Sequence, residues 1–200
     1  MESASWLSIA KEAALEAGTA IRQVYDSMNF SVEYKADRSP LTIADMSAHE
    51  IIKKKLLVTG IPILSEEGKL IPYSERQYWD RFWLVDPLDG TKEFIKRNKE
   101  FTVNIALINN HEPVLGVVYA PALKLLYWND SEGKAWKQQD QDTLKQIYTQ
   151  RRTGVRNIVA SKSHLTAETE KYISRFPGVS LQTIGSSLKF MSDGTNWACK

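Results

Sequence analysis

Apolar positions near the start of the chain recur with a helical period. Trp6, Ile9, Ala10, Ala13, Ala17, Ile21 and Val24 fall mostly three or four apart, so residues 5–27 are predicted to form one amphipathic helix packed on a core. FSVEYKA then alternates like a strand, and KADRSPLT reads as a polar loop punctuated by Pro40. A second helix is predicted from Asp45 to Val58. Two short apolar runs follow, IPILSEE and RFWLVDP, and both end in acidic residues, as expected of buried strands that deliver carboxylates at their tips. FTVNIALIN, PVLGVVYAP and LLYWND form a strand series joined by turn signals at Asn109-Asn110 and Asn129-Asp130, which predicts a largely antiparallel sheet. The polar DQDTLKQIYTQRRTG is the expected crossing between two parts of the chain. After it, NIVASK reads as a strand, TAETEKYISRF as a helix, VSLQTI as a strand and SSLKFMSD as the opening of another helix.

Composition narrows the possible partners. Two hundred residues can bury about 70% of their unfolded surface and build a core. With 26 basic and 24 acidic residues the net charge is +2, which supplies no basic face for a nucleic-acid polymer but is compatible with a compact anionic ligand. One cysteine, Cys199, excludes an internal disulfide framework and fits a reducing compartment. No segment approaches about 18 uninterrupted apolar residues, and the first residues, MESASWLSIAKEAALEAG, carry charges where a signal peptide would be apolar. The expectation is a soluble, cytoplasmic chain with no integral membrane segment.

WLVDPLDGTKEF, residues 83–94, raises the chemical question. Asp86 ends an apolar run and Pro87 turns the chain, so Asp89 can face the same point as Asp86. Two converging carboxylates are costly away from water, and a divalent cation offsets that cost. An oxygen-only donor set favours magnesium, manganese or calcium. Gly90 lets the backbone approach a ligand, and the N–H groups of Gly90 and Thr91 would open a short helical turn able to hold a phosphate oxygen. Asp-Pro-x-Asp-Gly is also ordinary turn chemistry, but a second acidic tip, Glu66-Glu67 in ILSEEG, favours a site. Asp45 in SPLTIAD would by itself read as a helix N-cap. The residues leave open which of Glu66 and Glu67 faces the site.

SPLTIAD, ILSEEG, WLVDPLDGTKEF, the pair FTVNIALI and LGVVYAP, and GSSLKF occur in an order that resembles the inositol monophosphatase-like phosphatases over nearly the whole chain. Lys92-Glu93-Phe94 after Thr91, together with ASKSH and GSSLKF, is most similar to the CysQ-type 3′(2′),5′-bisphosphate nucleotidases; the inositol enzymes resemble DGTTNF at that place. The resemblance implies a layered α/β sandwich, with residues 1–150 as an N-terminal α+β metal-binding part and residues 151–200 as a partial C-terminal α/β part covering the substrate. It implies a phosphoric monoester hydrolase, linked to sulfate assimilation, that removes the 3′-phosphate of adenosine 3′,5′-bisphosphate to give AMP. Two or more magnesium ions would activate the water, and lithium would inhibit.

The resemblance further implies Glu66, Asp86, Asp89 and the Leu88 carbonyl as metal ligands, Asp86 bridging two ions. Thr91 would position the attacking water with Asp45 orienting its hydroxyl, and Glu66 would help to remove the proton. Leu88, Asp89, Gly90, Thr91, His164, Ser186 and Lys189 would border the substrate. Taken singly, His164 reads as a loop residue, Ser186 as a helix cap and Lys189 as a solvated charge. His49, His111 and the tryptophans at 79, 83, 128 and 136 read as structural. The resembling enzymes continue past GSSLKF to a WD-x-A-A-G segment whose aspartate ligates the second metal, whereas here Trp197 is followed by Ala198. The expectation is a weakened second site, which favours a non-catalytic binder of metal or nucleotide as one alternative; an inositol monophosphatase is the other, as the nearest enzymatic rival. Some resembling bacterial enzymes also sit peripherally on the cytoplasmic face of the inner membrane.

Overall fold

The computed structural model describes residues 2–27, 32–34, 40–140, 144–148, 157–163 and 165–191. Helices α1 (Glu2–Ser27) and α2 (Ile43–Leu56) pack on each other and on one face of a central sheet. Ala10, Ala13, Ala14, Ala17 and Ile21 of α1, and Ala44, Ala48, Ile52 and Leu56 of α2, are fully buried. Their three- and four-residue spacing puts each set on one helical face, and the alanines allow the two backbones to approach closely.

A hairpin of β1 (Val32–Tyr34) and β2 (Pro40–Thr42) leads into α2. The main sheet holds β3 (Ile63–Ser65), β4 (Arg81–Asp89), β5 (Thr102–Asn109), β6 (Glu112–Ala120), β7 (Leu125–Asn129), β8 (Ala135–Gln139) and β9 (Lys145–Ile147), side by side in chain order. Its pairs are antiparallel except β3 with β4. Trp83, Val85, Val103, Ile105, Leu115 and Val117 are buried beneath the helices, as the strand alternation requires. Phe94, Phe101 and Tyr25 close the core with ring centroids 5.0–5.3 Å apart. Asn110 and His111 both have left-handed φ, 50° and 66°, the geometry of a tight hairpin turn.

Two short helices, α3 (Tyr73–Arg76) and α4 (Thr91–Ile95), flank β4. A second unit follows the main sheet: β10 (Asn157–Ser161), α5 (Ala167–Ile173) and β11 (Ser180–Ile184), with the two strands parallel. A 3₁₀ turn at Ser187–Phe190 comes next, where the opening of another helix was expected; residues 192–193 of that stretch lie outside the described residues. The fold is a mixed α/β arrangement of helices on a central sheet, as predicted.

Several local expectations are corrected. Pro40–Thr42 is a strand and not part of a loop, with its proline in a two-stranded hairpin where no central ladder needs its missing N–H. Within the expected crossing, Lys145–Ile147 is an edge strand of the main sheet. The helix at Tyr73–Arg76 and strand β8 were not foreseen. Among the described residues no helix is long and apolar enough to cross a membrane.

Candidate active site

Strand direction brings the acidic tips together. Because β3 and β4 run parallel with Ser65 opposite Val85, and Glu66 N–H donates to Val85 O at 3.0 Å, Glu66 comes level with Asp86. Residues three apart on a regular strand point to opposite faces. The β4–β5 register shifts between Asp86, opposite Asn104, and Asp89, opposite Thr102. Three steps on β4 thus match two on β5, and this bulge carries Asp86 and Asp89 onto the same face. Pro87 sits in the bulge, where a missing N–H is tolerated. The strand therefore continues to Asp89 instead of ending at Asp86 as predicted.

Past Asp89 the chain turns through Gly90, whose φ is 90°, and α4 starts at Thr91. The Thr91 hydroxyl lies 3.2 Å from both Leu88 O and Asp45 Oδ1. Asp45 is not the N-cap of α2. Thr42 caps the helix, and Asp45 at the third position closes a capping box: its Oδ2 accepts from Thr42 N at 2.8 Å and from Thr42 Oγ1 at 2.6 Å. One carboxylate thus locks the helix start with one oxygen and meets Thr91 with the other.

Burial raises the pKa of two of the site's carboxyls. Asp86 is pushed up to about 8 by burial first, then by the charges of Glu66 and Asp89 and by a hydrogen bond with Glu66. Burial also raises Asp45, against the lowering effect of its bonds from Thr42 and Thr91. Among the described residues no three histidine, cysteine or acidic side chains stand together as a ready ligand set. Asp89 Oδ2 accepts instead from Ser187 N at 2.5 Å and Asn104 Nδ2 at 3.3 Å. The donor chemistry nevertheless suits a hard cation: Glu66, Asp86, Asp89 and the Leu88 carbonyl are all oxygen donors.

The sequence pattern of the inositol monophosphatase family matches residues 2–195. The chain belongs to that family. The resemblance drawn from its motifs is borne out, and relatives within the family narrow it. The 3′(2′),5′-bisphosphate nucleotidase CysQ of Escherichia coli K12 is 50% identical over 180 residues, covering 88% of this chain and 72% of the relative. The crystal structure of CysQ from Bacteroides thetaiotaomicron superposes with a TM-score of 0.81 at 42% identity, covering 96% of this chain and 78% of that one. A Thermotoga maritima inositol monophosphatase shares the fold, with a TM-score of 0.77 at 24% identity over 98% of this chain and 74% of its own.

Of the predicted site residues, Asp45, Glu66, Asp86, Leu88, Asp89, Gly90 and Thr91 gather at one edge of the sheet. Glu66 is the glutamate whose charge and hydrogen bond act on Asp86. Ser186 is buried beside them: a Cβ on Gly90 would stand 3.0 Å from Ser186 Cβ. Its hydroxyl caps the 3₁₀ turn by accepting from Leu188 N. Lys189 lies further along, its ammonium 4.9 Å from the Phe190 ring centroid. His164 lies outside the described residues. His49 is buried with Nδ1 2.8 Å from Ser65 Oγ, a structural contact behind the Glu66 strand.

Residues that sequence reasoning missed include Ser187, Thr102 and Asn104. Ser187 Oγ lies 2.8 Å from Thr102 Oγ1 and donates to Asn104 Oδ1 at 2.9 Å, while its N–H holds Asp89. Glu93 and Glu100 also lie here. The one available signal was Glu93, a charged residue beside Phe94 on the buried side of a five-residue helix.

Proposed function

We propose that this chain is a magnesium-dependent phosphatase of the bisphosphate nucleotidase type, removing the 3′-phosphate of adenosine 3′,5′-bisphosphate to give AMP and phosphate. The observation that carries the reading is the Thr91 hydroxyl, 3.2 Å from both Asp45 Oδ1 and Leu88 O, beside the Glu66, Asp86 and Asp89 carboxylates. A hydroxyl has one proton. Given to Asp45 or to Leu88 O, that proton leaves lone pairs on Thr91 that accept from a water, turning the water's own lone pair toward phosphorus. Asp45 is tied to Thr42 by two bonds, so the direction in which Thr91 faces is fixed before substrate arrives.

Glu66, half of the Glu66–Asp86 pair and exposed at the sheet edge, is the acceptor for the proton the water loses. The N–H groups of Gly90 and Thr91 face the phosphate oxygens. Glu66, Asp86, Asp89 and the Leu88 carbonyl would hold magnesium. When bound, the metal lowers the pKa of water and offsets the charge on the departing oxygen. Ser186 and Lys189, with His164, are assigned to the nucleotide side of the substrate. The names of the CysQ relatives support the nucleotide as substrate. A place in sulfate assimilation, a cytoplasmic location and lithium sensitivity belong to the same reading.

Phosphate release from adenosine 3′,5′-bisphosphate and from inositol 1-phosphate, each with and without magnesium, tests it. Metal-dependent release favouring the nucleotide is the expected result. Preference for inositol 1-phosphate would overturn the substrate assignment, and release indifferent to chelation would overturn the metal.

A further inference from the structure

Glu93 and Glu100 stand outside the carboxylate set, yet two segments of the β10–α5–β11 unit converge on them. Glu93 is 4% exposed, and Ser163 Oγ donates to its Oε1. Gly185 rests on its side chain so closely that a Cβ there would lie 2.9 Å from Glu93 Cδ. Glu100 grips the same unit from the other side: Lys162 Nζ reaches Oε1 at 2.6 Å and Gly185 N–H donates to Oε2 at 2.8 Å. Glu100 O would stand 3.1 Å from a Cβ on Gly90 and 3.1 Å from one on Gly185. The two glycines therefore lie close to the same glutamates, one in the Asp89–Thr91 turn and the other at the end of β11. Ser187 N–H on Asp89 completes the contact.

We propose that Glu93 and Glu100 form a latch, acting as positioning residues that set the Gly185–Ser187 turn against Gly90 and Thr91 and so fix the space receiving the part of the substrate beyond its phosphate. The proposal rests on the phosphatase reading above for its substrate, but not for its mechanics. The β10–α5–β11 unit and the turn after it bury few apolar side chains, Ala160 and Leu188 among them. Apolar burial thus does little to decide where this unit sits; three charge-assisted bonds to Glu93 and Glu100, together with the Ser187 contacts to Asp89, Thr102 and Asn104, hold it in place. A shift of the turn by about 1 Å leaves the metal ligands of β4 in place and mis-sets what the substrate's far end meets.

Two measurements separate the latch from a merely local contact. Amide hydrogen exchange is read first, without substrate. Glu100→Ala is expected to speed exchange at both Gly185 and Ser187 by about tenfold or more, with the β5 amides unchanged. Only Gly185 has its own N–H on Glu100, so acceleration at Ser187 reports movement of the turn. Unchanged Ser187 exchange overturns the latch.

Steady-state kinetics come second. Glu93→Ala and Ser163→Ala should raise KM for adenosine 3′,5′-bisphosphate about tenfold with kcat within about threefold, and leave KM for p-nitrophenyl phosphate unchanged. Glu93→Gln should restore most of the loss, because its amide oxygen still accepts from Ser163. A fall in kcat at constant KM, or equal losses on both substrates, would overturn the positioning role. If Glu93→Ala fails to fold, Ser163→Ala removes the same contact by one hydroxyl. Absence of bisphosphate hydrolysis by the unaltered protein would sink the substrate reading alone, and the exchange data would still decide the latch.

Discussion

The helix-covered sheet and the β10–α5–β11 unit are held in different ways. The first is built on apolar burial: Trp83, Phe94, Phe101, Ile21 and Ile52 are fully buried, and most of the named core lies between α1, α2 and strands β4 to β7. The second has a two-stranded sheet whose residues are mostly half-buried or exposed, and it meets the first through carboxylates and hydroxyls. The candidate site lies where the two meet. Its acids come from the part built on apolar burial and the Gly185–Ser187 turn from the lightly held part, so stability and the proposed substrate fit are open to separate perturbation.

The largest effect should follow from breaking the first region. Trp83 is fully buried, and its Nε1–H donates to Thr59 Oγ1 at 3.0 Å. Trp83→Ala leaves a cavity under α2 and removes one of the bonds made by Thr59 Oγ1, which keeps those to Leu56 O and Ile61 N, at a cost of about 3–5 kcal/mol that comes mainly from the cavity. Urea unfolding should show the midpoint collapse, with metal binding and activity lost together. A midpoint close to that of the unaltered protein would mean the core is not the foundation of the site.

Asp86→Asn should separate what Trp83→Ala joins. Activity is expected to drop on the order of 10³-fold or more, about 4 kcal/mol of transition-state stabilisation, while the fold persists. The metal-free stability profile gives the sign. Asp86 has a pKa of about 8 folded against 3.8 as the ordinary value, so between those limits the native state holds a proton that the unfolded state releases. Its contribution is full below about pH 4, declines as pH rises, and is gone above about pH 8. Denaturation in chelator across that window should show the decline in the unaltered protein and a flatter line in Asp86→Asn. A slope identical in both would remove Asp86 as its source.

Thr91→Ala should act more narrowly. It deletes the hydroxyl between Asp45 and Leu88 O but leaves the Thr42–Asp45 capping box in place, so stability should change by less than about 1 kcal/mol. Turnover should fall on the order of 10²-fold with KM little altered. A change confined to KM would make Thr91 a phosphate contact instead of the residue that orients water.

The same division explains what the sequence revealed. α1 was legible because Ala10, Ala13, Ala17 and Ile21 lie on one buried stripe, and β4 to β7 were legible because they alternate against that layer. The carboxylates were legible because an acid at the end of an apolar run is an anomaly that chemistry must explain. Asp45 was ambiguous because its two oxygens do two jobs, and Thr42, one turn earlier, holds the cap. β9 was hidden because an edge strand of Lys145, Gln146 and Ile147 has little apolar pattern to show. Ser187, Asn104 and Glu100 were hidden for a different reason. Their roles arise from contacts spanning 62 to 98 residues, and polar contacts of that range leave no periodicity along the chain.

Two lysine pairs give the smallest and sharpest test of the comparison. Lys124 Nζ meets Asp140 Oδ2 at 2.7 Å within the first region, and Lys162 Nζ meets Glu100 Oε1 at 2.6 Å between the regions. As ion pairs they are alike: both lysines are partly exposed, and an exposed pair is worth about 0–1 kcal/mol. Lys124→Gln and Lys162→Gln should therefore leave thermal stability nearly unchanged and indistinguishable from each other. Their consequences for the site should differ. Lys124 joins two strand ends that the sheet already aligns, so KM for adenosine 3′,5′-bisphosphate should stay constant in its variant. Lys162 is one of the few contacts placing β10 beside Glu100, so its variant should raise KM about two- to fivefold, the effect of a single bond of under about 1 kcal/mol. KM of the unaltered protein should climb toward that of Lys162→Gln as ionic strength rises, and the difference should vanish at high salt, since screening weakens a pair that only the unaltered protein has. Equal KM for the two variants at low salt would mean that the lightly held unit is fixed by something other than its polar contacts.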